Sequence, residues 1–415
     1  MSVRQSDIVV VGAGIIGCSI AVELAERGAR VTVLEKAQVG MGCSYGNAGW
    51  MTPCFAMPLP MPGMMLKSIK WLMNPSSPLY IKPSISPELI YWLYRFMLAM
   101  NEKQALRSIE GLVQLSQISL EKYKKLFMEF PEIDFHQQGL LMVGQSQDGV
   151  HAAVDEMNLV SRFGVPGKYL NAEEVKSFEP SLVGKVSGGV YFPQEAHAEP
   201  LKVVKALEKK AIQLGVRFIE NTEVLSFELN SRRITQINTS AGKMKSDQFV
   251  LASGSWSHDL ARQLGLRVPV LGGKGYALIV DPLPNNPSRP LMLVEKKIAI
   301  TPRQGSLRIA GTLELVNQDF SITQRRVDAI VRGAREFLEL PSDFKIHELW
   351  KGLRPCTPDG VPLIGYHSKI SNLMLSCGHQ MLGLQAGYGT GEIVADMMEG
   401  RSSSLNTQIF SPDRF

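Results

Sequence analysis

The sequence predicts an α/β protein in which a parallel sheet is interleaved with an α+β unit built on an antiparallel sheet. The chain opens with an apolar strand, a glycine-rich turn and a helix at residues 8–27. Between residues 268 and 316, short apolar runs alternate with turns, which is typical of antiparallel strands. Apolar strands followed by glycines or helices, like those at the start of the chain, return after residue 190 and again near the end. We therefore expect one unit to be inserted in the sequence of the other.

The first elements follow from local patterns. Residues 8–11 are all apolar, as in a parallel strand that is covered on both faces. Residues 16–27 carry apolar side chains at helical spacing, and Gly28 is a suitable helix end. Residues 30–34 form the next apolar run. The start of the chain is therefore predicted to be a β-α-β unit.

The remaining elements are weaker predictions. Residues 51–80 are rich in methionine and proline and are expected to be irregular. Further helices are predicted at residues 87–129, 201–214 and 325–338 and from about 390 to 398. Further strands are predicted at residues 140–143, 189–192, 216–219, 249–252 and 373–375. Gly/Pro-rich turns are expected after Trp350.

Composition excludes several classes of protein. The net charge of +5 is spread over 44 basic and 39 acidic residues without a concentrated basic face, so no nucleic-acid partner is expected. Five cysteines without a CxxC pair, and seven histidines without metal-ligand spacing, predict neither a disulfide framework nor a metal site. We expect a cytoplasmic protein, since residues 8–22 carry no signal-peptide cleavage site and no membrane span is predicted.

The first turn carries a dinucleotide-binding pattern. Gly12, Gly14 and Gly17 match GxGxxG between the apolar strand and the helix. Glu35 ends the next strand, where a carboxylate would accept hydrogen bonds from a ribose. The motif predicts a Rossmann-like unit but does not choose between NAD and FAD. FAD is favoured because the later strand–helix pair and the glycine-rich turns lie far along the chain, as a long cofactor would require.

The sequence resembles the D-amino-acid oxidase superfamily of flavoproteins, above all its bacterial D-amino acid dehydrogenases, and is also similar to hydroxyproline dehydrogenases and glycine oxidase. The motifs that carry this resemblance are GAGIIG (12–17), SYGNAGWMTP (44–53), LASGSWS (251–257), LGGKGYALIV (271–280), KIAITPRQGSLRIAG (297–311), WKGLRPCTPDGVPLIG (350–365) and SCGHQMLGLQAGYGTG (376–391). They span nearly the whole chain.

The resemblance implies FAD-dependent oxidative deamination of a small amino acid, of D configuration. A hydride would pass from the substrate Cα to flavin N5, and the imino acid would hydrolyse to a 2-oxo acid and ammonia. The alternatives are a hydroxyproline or proline-type dehydrogenase that gives a cyclic imine, an oxidase that uses O₂, and an NAD-dependent Rossmann dehydrogenase. A quinone or a redox protein is the expected electron acceptor. Residues 51–80 are expected to form a core-packing strap or an active-site lid, with contact to a membrane or an electron acceptor as the alternative. Peripheral contact with the inner face of the membrane and the oligomeric state are open.

The resemblance also implies which residues form the site. Those expected to bind FAD are Gly12, Gly14, Ile15, Ile16, Gly17, Glu35, Lys36, Ser44, Asn47, Ala48, Gly49, Val224, Gly254, Trp256, Gly352, Arg354, Gly378, His379, Gly383 and Leu384. The FAD-binding domain is expected at residues 1–75, 190–267 and 345–415, and the substrate domain at residues 76–189 and 268–344. FAD is expected to be dissociable, because Cys356 does not align with the cysteine that attaches flavin in sarcosine-oxidase relatives.

The resemblance implies that Arg303 anchors the substrate carboxylate, and a guanidinium suits this role because it binds a carboxylate through two parallel hydrogen bonds. A solvated turn arginine is the alternative. Tyr276, Arg354 and His379 are the other candidate catalytic residues, with simple structural roles as the alternative for each. Lys274 is expected to be an exposed strand residue.

Overall fold

The computed structural model describes residues 5–61, 79–81, 86–316, 318–403 and 405–415. The helices in these ranges are α1 (Ile15–Glu26), α2 (Pro87–Ala99), α3 (Glu102–Glu129), α4 (Gln147–Ser161), α5 (Ala172–Phe178), α6 (Pro200–Gln213), α7 (Ser257–Gln263), α8 (Gln324–Arg335) and α9 (Gly383–Glu399). The strands are β1 (Asp7–Val11), β2 (Arg30–Leu34), β3 (Trp50–Met51), β4 (Leu79–Ile81), β5 (Leu140–Gly144), β6 (Lys168–Asn171), β7 (Gly188–Phe192), β8 (Ala196–His197), β9 (Arg217–Ile219), β10 (Val224–Asn230), β11 (Arg233–Thr239), β12 (Gly242–Met244), β13 (Gln248–Leu251), β14 (Leu271–Val280), β15 (Leu291–Leu293), β16 (Ile298–Arg303), β17 (Ser306–Val316), β18 (Ile346–Cys356), β19 (Leu363–Tyr366) and β20 (Leu373–Cys377).

Six strands form the parallel sheet, in the order β19-β20-β13-β1-β2-β9, and only β19 runs antiparallel to its neighbour. Alternate residues of β1 enter different cores. Ile8 and Val10 pack into the core that includes α1 and α9, whereas Val9 and Val11 pack into the core on the other face. The predicted coverage of β1 on both faces is therefore confirmed.

The second sheet has the order β18-β14-β17-β16-β15-β5-β7-β6, with β4 paired to β17. We call it the antiparallel sheet, although the β15–β5 and β17–β4 pairs are parallel. Helix α8 covers one face, where Tyr276, Leu278 and Ile330 share a core. The other face carries Met142 and Met292 into the same core as α1 and α3. The face opposite α8 is therefore the one that packs toward the parallel sheet's helices.

The expected turns after Trp350 are wrong as far as Cys356, because β18 continues through this stretch and pairs with β14. Pro355 does not prevent the strand, since β18 lies at the edge of its sheet and needs no backbone donor on the open side. The last helix begins at Gly383 instead of about residue 390, and the helical stretch 87–129 is two helices with a new N-cap at Asn101. Helix α4 and the three-stranded β10–β12 sheet were not predicted.

The division into domains stays a proposal. Strand β18 and the whole of β7, including residues 190–192, belong to the antiparallel sheet, which favours moving the boundaries expected at residues 345 and 190. The Met/Pro-rich segment lies largely outside the described residues, since residues 62–78 are not described.

Candidate functional site

A cavity of about 550 Å³ opens at the carboxyl ends of β1, β2 and β13 and extends to β18. We call it the cofactor cavity, and its volume is in the range of small-molecule sites. Of the twenty predicted cofactor residues, sixteen line it: Gly12, Gly14, Ile15, Ile16, Glu35, Lys36, Ser44, Asn47, Val224, Gly254, Trp256, Gly352, Gly378, His379, Gly383 and Leu384. Gly17, Ala48, Gly49 and Arg354 are not among the residues that line it.

The glycine turn is closed by backbone contacts that admit no side chain. Gly12 has φ +105°, and a Cβ there would lie 2.6 Å from the carbonyl oxygen of Ala252. A Cβ on Gly17 would lie 1.9 Å from the carbonyl oxygen of Gly12. Gly12 therefore allows the turn beside the cavity, whereas Gly17 allows α1 to approach β1 closely.

Two polar side chains are fixed at the start of α1. The Glu35 carboxylate accepts hydrogen bonds from the backbone N–H groups of Ala13 (2.9 Å) and Ala37 (3.0 Å). The Ser44 hydroxyl accepts one from the N–H of Ile15 at 3.0 Å. The N-cap residue Gly14 has no side chain to cap the helix, and Gly14, Ile15 and Ile16 line the cavity, so the remaining N–H groups of this helix end suit a pyrophosphate. An acidic ribose acceptor beside a phosphate-binding helix end fits a dinucleotide.

An aromatic wall closes one end of the cavity. The Lys36 ammonium lies 3.5 Å from the centre of the Trp256 ring, and its pKa is lowered by burial. Phe320 stacks on Trp256, with 6.0 Å between the ring centres. Phe320 lines the cavity too and was missed, since residue 320 follows a strand of the distant antiparallel sheet. Flat aromatic walls of this kind suit a purine ring.

His379 belongs to the other end of the cavity, but its ring is engaged elsewhere. Thr390 donates its hydroxyl proton to the carbonyl oxygen of Ala386, so it accepts the Nε2–H of His379 at 3.1 Å. The imidazole is 3% exposed, and burial lowers its pKa to about 3. A ring that is neutral throughout the physiological range and already bonded is poorly suited to act as a general base.

Trp350 is a cavity residue that sequence reasoning missed. Its indole ring packs against the backbone of Gly46 and Gly352, where a Cβ would lie 2.0 and 2.1 Å from ring atoms. Both glycines are therefore needed for the ring to lie between β18 and the 44–49 segment. Its position as the first residue of the WKGLRPCTPDGVPLIG motif was a signal that could have identified it.

Arg354 lies beside the cavity wall, and its guanidinium forms few hydrogen bonds or ion pairs with the described residues. Its guanidinium lies over Gly275, at which a Cβ would be 1.9 Å from Nη1, and Nη1 donates to the carbonyl oxygen of Thr312 at 2.8 Å. Burial lowers its pKa, and the ionisable groups that act on it are the thiols of Cys43 and Cys356. Within the ranges that the structure describes, no carboxylate forms an ion pair with it.

The structure does not bring Arg303 to the cofactor cavity. Its Nη2 lies 2.5 Å from Oε2 of Glu199, and Nη2 of Arg308 lies 3.3 Å from the other carboxylate oxygen. These residues surround a separate cavity of about 10 Å³, which Ala48 also lines. The site of the predicted anchor is thus occupied by a carboxylate from the chain itself.

The other candidates on the antiparallel sheet face α8. Tyr276 is fully buried, and its hydroxyl accepts the N–H of Thr323 at 2.9 Å. Lys274 is 1% exposed and pairs with Glu314 at 3.5 Å and Asp319 at 3.2 Å, so the expected exposure of Lys274 is wrong. Strand alternation places both side chains on the face away from the cavity.

Cys356 is buried, its thiol is free, and it does not line the cofactor cavity. Burial raises the pKa of this thiol to about 12. In the described part of the chain, no group of three or more His, Cys, Asp and Glu side chains is arranged to hold a metal ion. Among the helices described, none has the length and apolarity to cross a membrane.

Comparison with known proteins agrees with this geometry. The chain is 34% identical to a D-amino acid dehydrogenase of Vibrio atlanticus over 417 residues, which cover 99% of this chain and 100% of the relative. Glycine oxidase from Geobacillus kaustophilus has a similar structure, with a TM-score of 0.79, 23% identity and 99% of both chains covered. L-proline dehydrogenase from P. horikoshii also shares the fold, with a TM-score of 0.77, 23% identity and 99% and 98% of the two chains covered.

The family model for FAD dependent oxidoreductases (DAO) matches residues 7–397, almost the entire chain. The glycine turn, Glu35 and the large cavity that they line fit the cofactor that this family binds. FAD is therefore the cofactor of this protein, and an NAD-dependent dehydrogenase is not favoured. The chain belongs to the DAO family of FAD-dependent oxidoreductases.

Proposed function

We propose that this protein is a dehydrogenase that oxidatively deaminates small D-amino acids. The full-length similarity to D-amino acid dehydrogenase supports the substrate class. The observation that carries the proposal is Arg354, a cation beside the cofactor cavity with no carboxylate partner in the described chain. An amino acid supplies the missing carboxylate whatever its side chain.

FAD, when bound, supplies the acceptor for the hydride that leaves the substrate Cα. The protein's residues hold the dinucleotide through Glu35, the start of α1 and the aromatic wall at Trp256. We propose that the cofactor is bound without a covalent link, since Cys356 lies outside the cavity. Burial also raises the pKa of Cys43 to about 11, so this cavity thiol is not a thiolate nucleophile near neutral pH.

Arg354 is better placed than Arg303 to bind the substrate carboxylate. Arg354 uses one donor on Thr312, which leaves further N–H groups of its guanidinium for a ligand. Arg303 already contacts Glu199 at 2.5 Å, so a substrate would have to displace this carboxylate. The role of Arg303 remains a prediction, and the two arginines are compared by mutation below.

Positioning, and not proton abstraction by a strong base, is the main task of these residues. A substrate amine that is already neutral needs no base to lose a hydride from Cα, and His379 is bonded to Thr390. Fixing the carboxylate holds the substrate Cα in one place relative to the cofactor cavity. The binding energy of the carboxylate is thus used to orient the reacting C–H bond. The imino acid product then hydrolyses to a 2-oxo acid and ammonia.

The decisive experiment is anaerobic reduction of the purified holoenzyme by a panel of amino acids. The loss of visible flavin absorbance measures the reduction. We expect small D-amino acids to bleach the flavin and to give 2-oxo acids and ammonia. Reduction by proline derivatives alone, with a cyclic imine product, would support the alternative that the fold of L-proline dehydrogenase keeps open. Fast reoxidation by air would instead indicate an oxidase, and no bleaching by any substrate would refute the proposal.

We also propose that the electron acceptor is a quinone reached by peripheral contact with a membrane. Ile90, Tyr94, Met97 and Leu98 lie at i, i+4, i+7 and i+8 of α2, on one face, and each is more than half exposed. An exposed apolar stripe of this kind suits the interface of a bilayer. Most of the Met/Pro-rich segment, for which membrane contact was only the alternative to a strap or lid, lies outside the described residues.

Cosedimentation with vesicles that contain anionic lipids tests the membrane contact. Wild-type holoenzyme should bind, and the Met97→Glu/Leu98→Glu variant should bind less while keeping its flavin spectrum. Met128→Glu is the matched control, because Met128 is 81% exposed on α3 and lies outside the stripe. Equal binding of all three proteins would exclude α2 as the contact.

A further inference from the structure

The turn at residues 47–49, which we call the 47–49 turn, is tied down through each of its three carbonyl groups. Arg308 Nη1 donates to the carbonyl oxygen of Asn47, and the Thr301 hydroxyl donates to that of Ala48 at 2.8 Å. The N–H of Ala198 donates to the carbonyl oxygen of Gly49 at 2.8 Å. All three donors lie outside the segment itself, so the surrounding strands dictate how the turn is oriented.

The other side of this turn belongs to the cofactor cavity. Asn47 lines the cavity, and its side-chain amide donates to the carbonyl oxygen of Met381 at 3.1 Å. Its side-chain oxygen accepts the N–H of Gly49 at 2.9 Å. A change in how the carbonyls are held would therefore move a part of the cavity wall.

Arg308 is the only charged donor among these three, and its position is itself fixed. The residue is 2% exposed, and Nη2 lies 3.3 Å from Oε1 of Glu199, which is 109 residues away in sequence. Burial lowers the pKa of Arg308, while Glu199, Tyr45 and Glu348 act to raise it and Arg303 to lower it. The guanidinium can bond the carboxylate and the Asn47 carbonyl at once because its donors point in fixed directions in one plane.

We infer that Arg308, held by Glu199, is a positioning residue that sets the 47–49 turn against the cofactor. It acts through the turn and is not expected to contact the substrate. The arrangement joins β17 of the antiparallel sheet to a wall of the cavity built mainly on the parallel sheet, so it links the sheet that carries Arg354 to the cofactor site. The inference rests on the assignment of the large cavity to FAD and is independent of which amino acid is oxidised.

The test compares FAD binding in full-length Arg308→Met, Arg308→Lys and Thr301→Val, after removal and titration of FAD. Arg308→Met should raise the FAD dissociation constant at least about tenfold, as expected for loss of a charged hydrogen bond, and shift the visible absorption bands of bound flavin. Arg308→Lys should restore part of the affinity, since it retains the charge but not the two-pronged geometry. Thr301→Val removes the donor to Ala48, together with the acceptor of the Trp50 indole N–H, and should weaken binding about threefold or more.

Arg289→Met is the matched control. Arg289 also pairs with a buried carboxylate, at 3.4 Å from Glu179, but it neither lines the cavity nor touches the turn. It should keep the wild-type dissociation constant and spectrum. In the Arg308 variants, kcat should fall more than KM for the amino acid rises, because the turn acts on the cofactor.

The inference is overturned if folded Arg308→Met binds FAD with the wild-type constant and the wild-type spectrum. If that variant does not fold, Arg308→Lys and Thr301→Val decide, and wild-type binding and spectra in both overturn it. Failure of the wild-type protein to bind FAD would instead remove the cavity assignment. Failure of amino acids to reduce wild-type flavin would remove only the proposed function.

Discussion

Replacing Arg354 with methionine tests the proposed carboxylate anchor most directly. Methionine keeps an unbranched side chain over Gly275 while it removes the charge and the donors. Arg354 has no carboxylate partner in the described chain, and only its bond to Thr312 competes with a ligand. Loss of a buried charged contact to a substrate carboxylate costs about 2–5 kcal/mol of binding free energy. At about 1.4 kcal/mol per factor of ten, the substrate dissociation constant should rise about 30-fold to 4,000-fold.

The assay is stopped-flow reduction of the flavin under anaerobic conditions at a series of amino acid concentrations. The concentration dependence of the rate reports substrate binding without involving the electron acceptor. FAD content and the flavin spectrum must first be shown to equal those of the wild-type protein. Arg289→Met serves again as the control and should change substrate binding by no more than about twofold, as is usual away from a site.

Arg303→Met makes the comparison decisive. Arg303 pairs with Glu199, which Arg308 continues to hold in this variant, so its loss should weaken substrate binding by no more than about fivefold. The reasoning from charge pairing is refuted if Arg303→Met weakens binding about 30-fold or more while Arg354→Met stays within about fivefold. In that case the anchor that the sequence predicted would be correct.

Three further predictions concern the cofactor end of the site. Gly12→Ala places a Cβ 2.6 Å from the Ala252 carbonyl oxygen at φ +105°, so it should lower the free energy of unfolding by about 1–3 kcal/mol and weaken FAD binding; a wild-type melting temperature would contradict this. Glu35→Gln places an amide donor beside the N–H groups from which Glu35 now accepts hydrogen bonds, so FAD should bind about tenfold more weakly in a calorimetric titration. Unchanged affinity would argue against the proposed contact of Glu35 with the ribose. Burial lowers the pKa of His379 from 6.5 to about 3. Between these two pH values the imidazole is protonated in the unfolded chain but stays neutral in the folded protein. The free energy of unfolding should therefore fall as the pH drops from 6.5 toward 3, by up to about 1.4 kcal/mol per pH unit from this group, and urea titrations of His379→Gln should show a shallower fall.

The N-terminal unit was predictable because its determinants are local. The apolar run of β1, the glycines at fixed offsets and Glu35 at the end of β2 lie within one β-α-β segment, and each has a steric or hydrogen-bonding task that few other residues can perform. The motifs at Ser44, Trp256 and Gly383 converge on the same cavity, although they are far apart in sequence. Backbone geometry around a dinucleotide constrains residue type strongly, which makes such positions readable from sequence.

The sequence by itself determined the class of fold, the family and most of the residues that line the cofactor cavity, whereas tertiary structure decided which charged residues pair with each other. Arg303 and Lys274 occupy ordinary strand and turn positions, and nothing in their local sequence indicates that Glu199 and Glu314 approach them. Arg354 was ambiguous for the same reason, and only the packed sheet shows which of the two arginines has no carboxylate partner among the described residues. Electrostatic pairing depends on distance and burial in space, so the tertiary structure assigns these partners and local sequence does not.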